Sequence, residues 1–282
     1  MTLRLNLNLE RFGYAQFALV SGVLVLGLLS YLVMNLTGHT SAFGFLRLLD
    51  VGAEQSVPTY VSVLNLLLAS ILTFVIYAYE KSKQESGANY WLFLSALFLL
   101  LSIDESASIH ENFANVYDFL VAKNVIAPSL SSHTWVPFGL FFVAATAAVL
   151  VPFLKKLPAD TARCFLIAGG VFVTGALGIE YLGAVMLEHN IVESKKDMLY
   201  LLRRLFEEGF EMYGIAFFNW ALYREILRRK VSLVVSGEAT SQPLFGSVPH
   251  VAYKYTHPEN NAVHGLGNGT WSRESKSASG DS

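Results

Sequence analysis

Cysteine is almost absent: Cys164 is the only one in 282 residues. An intramolecular disulfide and a cysteine-based metal cluster are therefore excluded. At the start of an apolar run, Cys164 reads as a small packed residue. Charge is also scarce. Asp, Glu, Lys and Arg make up 15% of the chain, against about 25% in soluble domains. Nor is there a basic excess, since 20 Lys and Arg face 22 Asp and Glu. The net charge of −2 offers no electrostatic face to nucleic acid. Metal-enzyme signatures are missing as well: there is no His-Glu-x-x-His, and no paired Glu-x-x-His of the di-iron bundles. The chain shows no internal repeat. It also has no matched pair of Gly- or Pro-broken spans, the sequence trace of many transporters.

What is present is apolar sequence in long runs. Spans are expected at 15–36, 59–79, 90–108, 135–154, 164–187 and 201–223, each near the roughly 20 residues that cross a bilayer. Tyr60, Tyr79, Tyr90, Trp91, Trp135, Trp220 and Tyr223 mark span ends, where aromatic rings collect at headgroup level. The fold class expected is all-α, a polytopic transmembrane helical bundle of about six spans. Arg4 and Arg11 precede the first run as in a secretory signal, but a signal core is only about 7–15 residues long. The run is read as a retained span.

Lys and Arg alternate between the loops. Arg4, Arg11, Lys81, Lys83, Lys155, Lys156, Arg163, Arg224, Arg228, Arg229 and Lys230 fall on one side. Arg47 and Lys123 fall on the other, with Lys195, Lys196, Arg203 and Arg204 as the exception. The bias predicts both termini in the cytoplasm. The fifth span is rich in small residues (Gly169, Gly170, Gly175, Ala176, Gly178, Gly183, Ala184). It is expected to be an interior, tightly packed helix. Residues 1–230 form the expected membrane domain. Residues 231–282, rich in Pro, Gly, Ser, Asn and His, read as a flexible polar cytoplasmic tail. The spacing of His250, His257 and His264 is too irregular for a metal tract, and the sequons at Asn35 and Asn268 are read as chance matches.

The stretch 97–111, LFLLLSIDESASIHE, carries an apolar run straight into acids. An ionisable group costs roughly 2.5–3.5 kcal/mol at the centre of a span, so such groups usually serve a purpose. Only the third, fifth and sixth spans carry acids, and all of these fall at one level, expected to be extracytoplasmic. The third and sixth are expected to continue as helices beyond the bilayer. At about 100° per residue, Asp104, Ser108 and Glu111 share a face; Glu105 and His110 point elsewhere, with room at the helix end for either to turn inward or face a neighbouring helix. Glu207 and Glu211 share another face, with Arg204 beside them.

Seven carboxylates (Asp104, Glu105, Glu111, Glu180, Glu207, Glu208, Glu211) face Arg203, Arg204 and His110. Such a cluster needs countercharge from a cation, from protons, or from water above the membrane. The metal reading makes the chain a metal-dependent membrane enzyme, a hydrolase or oxidoreductase. Its ligands would be Asp104, His110, Glu111, Glu180, Glu207 and Glu211 around Zn, Fe or Mn. Membrane lipids are the expected surroundings, and a small molecule or a lipid the expected substrate. Two alternatives stay open: a proton- or cation-coupled carrier with Glu180 as coupling residue, and a scaffold in which Arg203 and Arg204 pin the acids. His39, His133 and His189 read as loop residues.

Overall fold

Helix boundaries follow from local chemistry. The structure, a computed structural model, describes residues 8–38, 41–125 and 135–231. His39, His133 and residues 232–282 of the predicted tail, with its histidines and Asn268, lie outside the described residues. Asn8 caps α1 (Leu9–Thr37) by accepting the Glu10 N–H, and Gly38 ends it at φ 68°. The short α2 (Phe45–Leu48) follows. Ser56 caps α3 (Val57–Ser82), with Pro58 in its first turn, where a missing N–H costs nothing. Next come α4 (Ala88–Ala107), α5 (Asn112–Ala122) and α6 (Val136–Leu154). A long rod then runs from α7 (Ala159–Val173) through a π-helical turn, Thr174–Ile179, into α8 (Glu180–Glu188). The final helix is α9 (Met198–Arg228). Among the described residues there is no strand.

Five helical segments are long and apolar enough to cross a membrane: α1, α3, α4, α6 and the α7–α8 rod. The sixth expected span differs. It is part of a 31-residue helix, α9, in which no 18-residue stretch holds fewer than three charged residues. Those charges are carried inward. α9 is the interior helix, packed against α1, α3, α7 and the π turn, so its composition answers to protein neighbours and not to lipid.

The expectation that the glycine-rich fifth span is interior is corrected on the same ground. Its small residues do allow close approach, but along one side only. A Cβ on Gly175 would lie 2.8 Å from the Glu207 carbonyl oxygen, and one on Gly183 would lie 2.6 Å from Arg203 Cζ. Gly169 and Gly170 face open space, and Leu166, Ile167 and Leu182 are exposed.

The core runs along α9. Phe218 meets Phe98 of α4 at 4.8 Å and Phe165 of α7 at 4.4 Å between ring centroids. Leu222, Leu66, Ile76 and Trp91 extend the same cluster. Val20 and Val23 of α1 pack on Met212 and Ala216. Hydrogen bonds between helices add to this packing, as they do where no solvent competes. Ser70 Oγ donates to the Ser95 carbonyl and Ser95 Oγ to that of Ser70, and Asn219 Nδ2 donates to the Asn65 carbonyl at 3.0 Å. The outer surface is apolar too, with Leu26, Ile71, Phe74, Leu99, Ile103 and Phe141 exposed. That is the surface expected of a bundle whose solvent is hydrocarbon.

The helices alternate in direction. Phe12 meets Tyr223, Tyr90 meets Phe153, Asp160 meets Arg224 and Glu80 meets Arg229. The starts of α1, α4 and α7 and the ends of α3, α6 and α9 therefore gather at one end of the bundle. The acids of the 97–111 stretch lie at the other.

Candidate functional site

Arg203 organises the acidic end. One guanidinium nitrogen, Nη1, donates to Glu180 Oε2 at 3.2 Å and the Ile179 carbonyl at 3.0 Å, and forms an ion pair with Glu207 Oε2 at 2.8 Å. That carbonyl lies in the π turn, where backbone acceptors leave the ordinary α pattern and a side chain can take them. The turn therefore aims Glu180 at α9. Gly175 and Gly183 leave the room that the π turn and Arg203 occupy. Arg203 is buried, and its guanidinium lies 4.6 Å from the Tyr200 ring centroid.

Arg204, next in sequence, points to a different partner. Its neighbours are Asp50 and Tyr31, and Tyr31 Oη donates to Asp50 Oδ1 at 2.7 Å. Gly52 lies against the Arg204 side chain, where a larger residue would overlap it. Along α9, Glu208 and Glu211 are half-buried. Both lie near Glu105 of α4, which sits beside Ser62 of α3.

The third span does not continue as a helix beyond Ala107, contrary to expectation. Ser108 takes a left-handed conformation, φ 47°, and returns its N–H to the Asp104 carbonyl. The Asp104 carboxylate then accepts the His110 backbone N–H at 2.8 Å and sits 3.0 Å from His110 Nδ1. A short acidic side chain bonding to backbone further along competes with helix continuation. Helical phase therefore stops carrying information at Ser108. Asp104 pairs with His110, Glu105 turns toward α9, and Glu111 is exposed just before α5.

Burial alone would lower the His110 pKa. The hydrogen bond and charge of Asp104, with Glu111 and Glu105 behind, outweigh it and leave the imidazole above its ordinary value. Trp135 lies against the ring, centroids 4.9 Å apart.

All six candidate ligands, Asp104, His110, Glu111, Glu180, Glu207 and Glu211, line one cavity of about 1370 Å³. They do not converge on a point. Among the described residues, no three of His, Cys, Asp and Glu are placed to hold a metal ion. Instead Glu180 and Glu207 are drawn to Arg203 while Asp104 is drawn to His110. Asp50 and the His110–Trp135 contact carry no marker in the sequence. The π turn has a faint one, the glycines at 175 and 178 just before Glu180.

Below the acids the cavity is apolar. Leu94, Leu97 and Phe98 of α4, Phe142 and Leu150 of α6, and Phe165 and Phe172 of α7 form its walls. It is a cleft because α6 packs on the bundle at its two ends, through Val136 and Phe153, and buries no residue between them. Its volume exceeds the roughly 300–1,000 Å³ typical of small-molecule sites.

The opposite end of the bundle is a clamp. Buried Glu225 binds Arg228 at 2.6 Å, Arg229 at 2.7 Å and Thr161 Oγ1 at 3.1 Å, and Arg229 reaches Glu80 of α3. Burial raises the Glu225 pKa, but the two guanidiniums outweigh it and bring it below the ordinary value.

No curated protein and no solved structure matches the chain. A family described as "Domain of unknown function (DUF8692)" matches residues 17–224, from within α1 to the last turns of α9 and so across both the cleft and its acidic end, and the chain belongs to that family.

Proposed function

We propose that this is an integral membrane protein, with α9 as its sixth, internal span, that binds an amphiphile inside the bundle. The apolar chain of the ligand lies between α4, α6 and α7, and its polar head lies among Glu105, Glu207, Glu208 and Glu211. One observation carries this reading: a single cavity is walled by apolar side chains along its length and closed by ionisable groups at one end. A long site with few convergent polar groups suits a ligand that is mostly hydrocarbon. The charge bias of the loops supports placing the Glu225 clamp on the cytoplasmic side. The head-binding end would then lie in the outer leaflet.

Charge balance supports a cationic head. Glu105, Glu180, Glu207, Glu208 and Glu211 line the cavity with three cations, Arg203, Arg204 and Lys195, and Asp50 lies beside Arg204. A primary amine or quaternary ammonium would supply the missing charge. A metal ion would supply it as well, but the carboxylates are drawn toward Arg203 and do not converge.

The test compares long-chain alkylamines, alkyl alcohols and alkyl sulfates of equal chain length, titrated into the detergent-purified protein and followed by native mass spectrometry. The amine is expected to bind at one per chain and at least tenfold more tightly than the others. Glu211→Gln should remove the preference for the amine, and Ala147→Trp, which fills the apolar part, should weaken all three ligands. Equal binding of the three by the unmodified protein refutes the cationic-head site. Stoichiometric metal that disappears in Glu211→Gln would replace this reading with the metal one.

A further inference from the structure

Helix α5 has three faces. Tyr117 is its buried residue and turns toward the protein. Phe113, Val116 and Phe119 are 42%, 43% and 60% exposed, and at about 100° per residue they share a second face. Asn115 and Asp118, also exposed, occupy the third, which lies between Phe119 and Tyr117 around the helix. An apolar face left open would be a liability in water.

The chain limits where this helix can be. Residues 108–111 alone separate α5 from α4, a reach of roughly 14 Å at most. If α4 crosses the bilayer, α5 stays at its surface. The exposed apolar face also continues that of the spans, since Phe113 lies at the same cleft mouth as Leu100 of α4 and Phe141 of α6. Phe113 meets Phe138 of α6 at 5.4 Å between ring centroids.

We infer that α5 is an interfacial helix whose partner is the phospholipid surface. It lies along the bilayer with Phe113, Val116 and Phe119 in the acyl boundary and with Asn115 and Asp118 in headgroup water. Lys123 holds its Nζ 5.8 Å from the Phe119 ring centroid, at the level where a lipid phosphate would meet it. In this position Phe113 and Phe138 form the rim of the cleft, so a ligand dissolved in the leaflet reaches the cavity without crossing water. The inference rests on α4 as a span and does not depend on which ligand the cleft takes.

Nitroxide labels at Phe119→Cys and Asp118→Cys test it, in full-length protein carrying Cys164→Ser and reconstituted in phosphatidylcholine–phosphatidylglycerol nanodiscs. Collision with oxygen is expected to dominate at 119, and collision with an aqueous nickel chelate at 118. Val116→Cys should repeat the 119 result and stands in for it if that variant does not fold. Nickel dominating at every site, or oxygen dominating at every site, overturns the inference. The expected contrast in a protein that shows no preference for alkylamines would leave α5 as inferred and remove only the amphiphile site.

Discussion

Gly175→Ala isolates the packing that brings the α7–α8 rod onto α9. The added methyl would lie 2.8 Å from the Glu207 carbonyl oxygen, 2.9 Å from Glu211 Cγ and 3.0 Å from the Glu211 nitrogen. Two of these neighbours are backbone, so no side chain can rotate away and the rod must lift. Overpacking of this kind costs about 1–3 kcal/mol. Ala is better than Gly within a helix by about 1 kcal/mol, which works the other way. The net expectation is destabilisation of about 0–2 kcal/mol, with the rod displaced outward at Glu180; against a control that gains the same helix propensity, the difference is about 1–3 kcal/mol. Gly169→Ala is the matched control on the same rod, since a methyl there meets nothing within 4 Å. It should be neutral, or stabilising by up to about 1 kcal/mol. Thermal unfolding of both variants in the same detergent, followed by circular dichroism, gives the comparison. For a domain of this size, 1 kcal/mol moves the midpoint by roughly 2–4 °C. Gly175→Ala should melt several degrees below Gly169→Ala. Equal midpoints would refute the claim that glycine at 175 is required for helix contact.

Two further outcomes follow from the ionic networks. Arg203→Met leaves buried Glu207 and half-buried Glu180 without their cation and should cost about 3–5 kcal/mol in chemical denaturation. Glu225 is held below its ordinary pKa, so its share of stability is complete above the unfolded-state pKa of about 4.3. That share is lost as pH falls through the lower folded value. Midpoints measured against pH should drop below about pH 4, and Glu225→Gln should flatten that limb.

The acidic end illustrates how far helical phase can be carried. Glu207 and Glu211, four residues apart within an unbroken helix, line the same cavity as their spacing implies. Asp104, Ser108 and Glu111 line it too, but helical phase does not bring them there, because Asp104 itself ends the helix by bonding to His110. Phase holds only where the backbone stays regular, and the side chain that breaks it here is one of those being placed.

The sequence alone determines the class of structure. Apolar runs of this length have few solutions other than helices in lipid, since every backbone polar group must be satisfied within its own segment. It also determines where the acids sit along each run, because position in a span depends only on counting residues. Tertiary structure decided the rest. Composition pointed to the glycine-rich fifth span as the interior helix, whereas the charged α9 takes that place, because the surrounding helices supply the partners that its acids and arginines need. The π turn that aims Glu180, the Tyr31–Asp50 hydrogen bond beside Arg204 and the apolar cleft beside α6 all depend on how separate helices pack. Contacts between residues far apart in the chain leave no periodic trace within any one run.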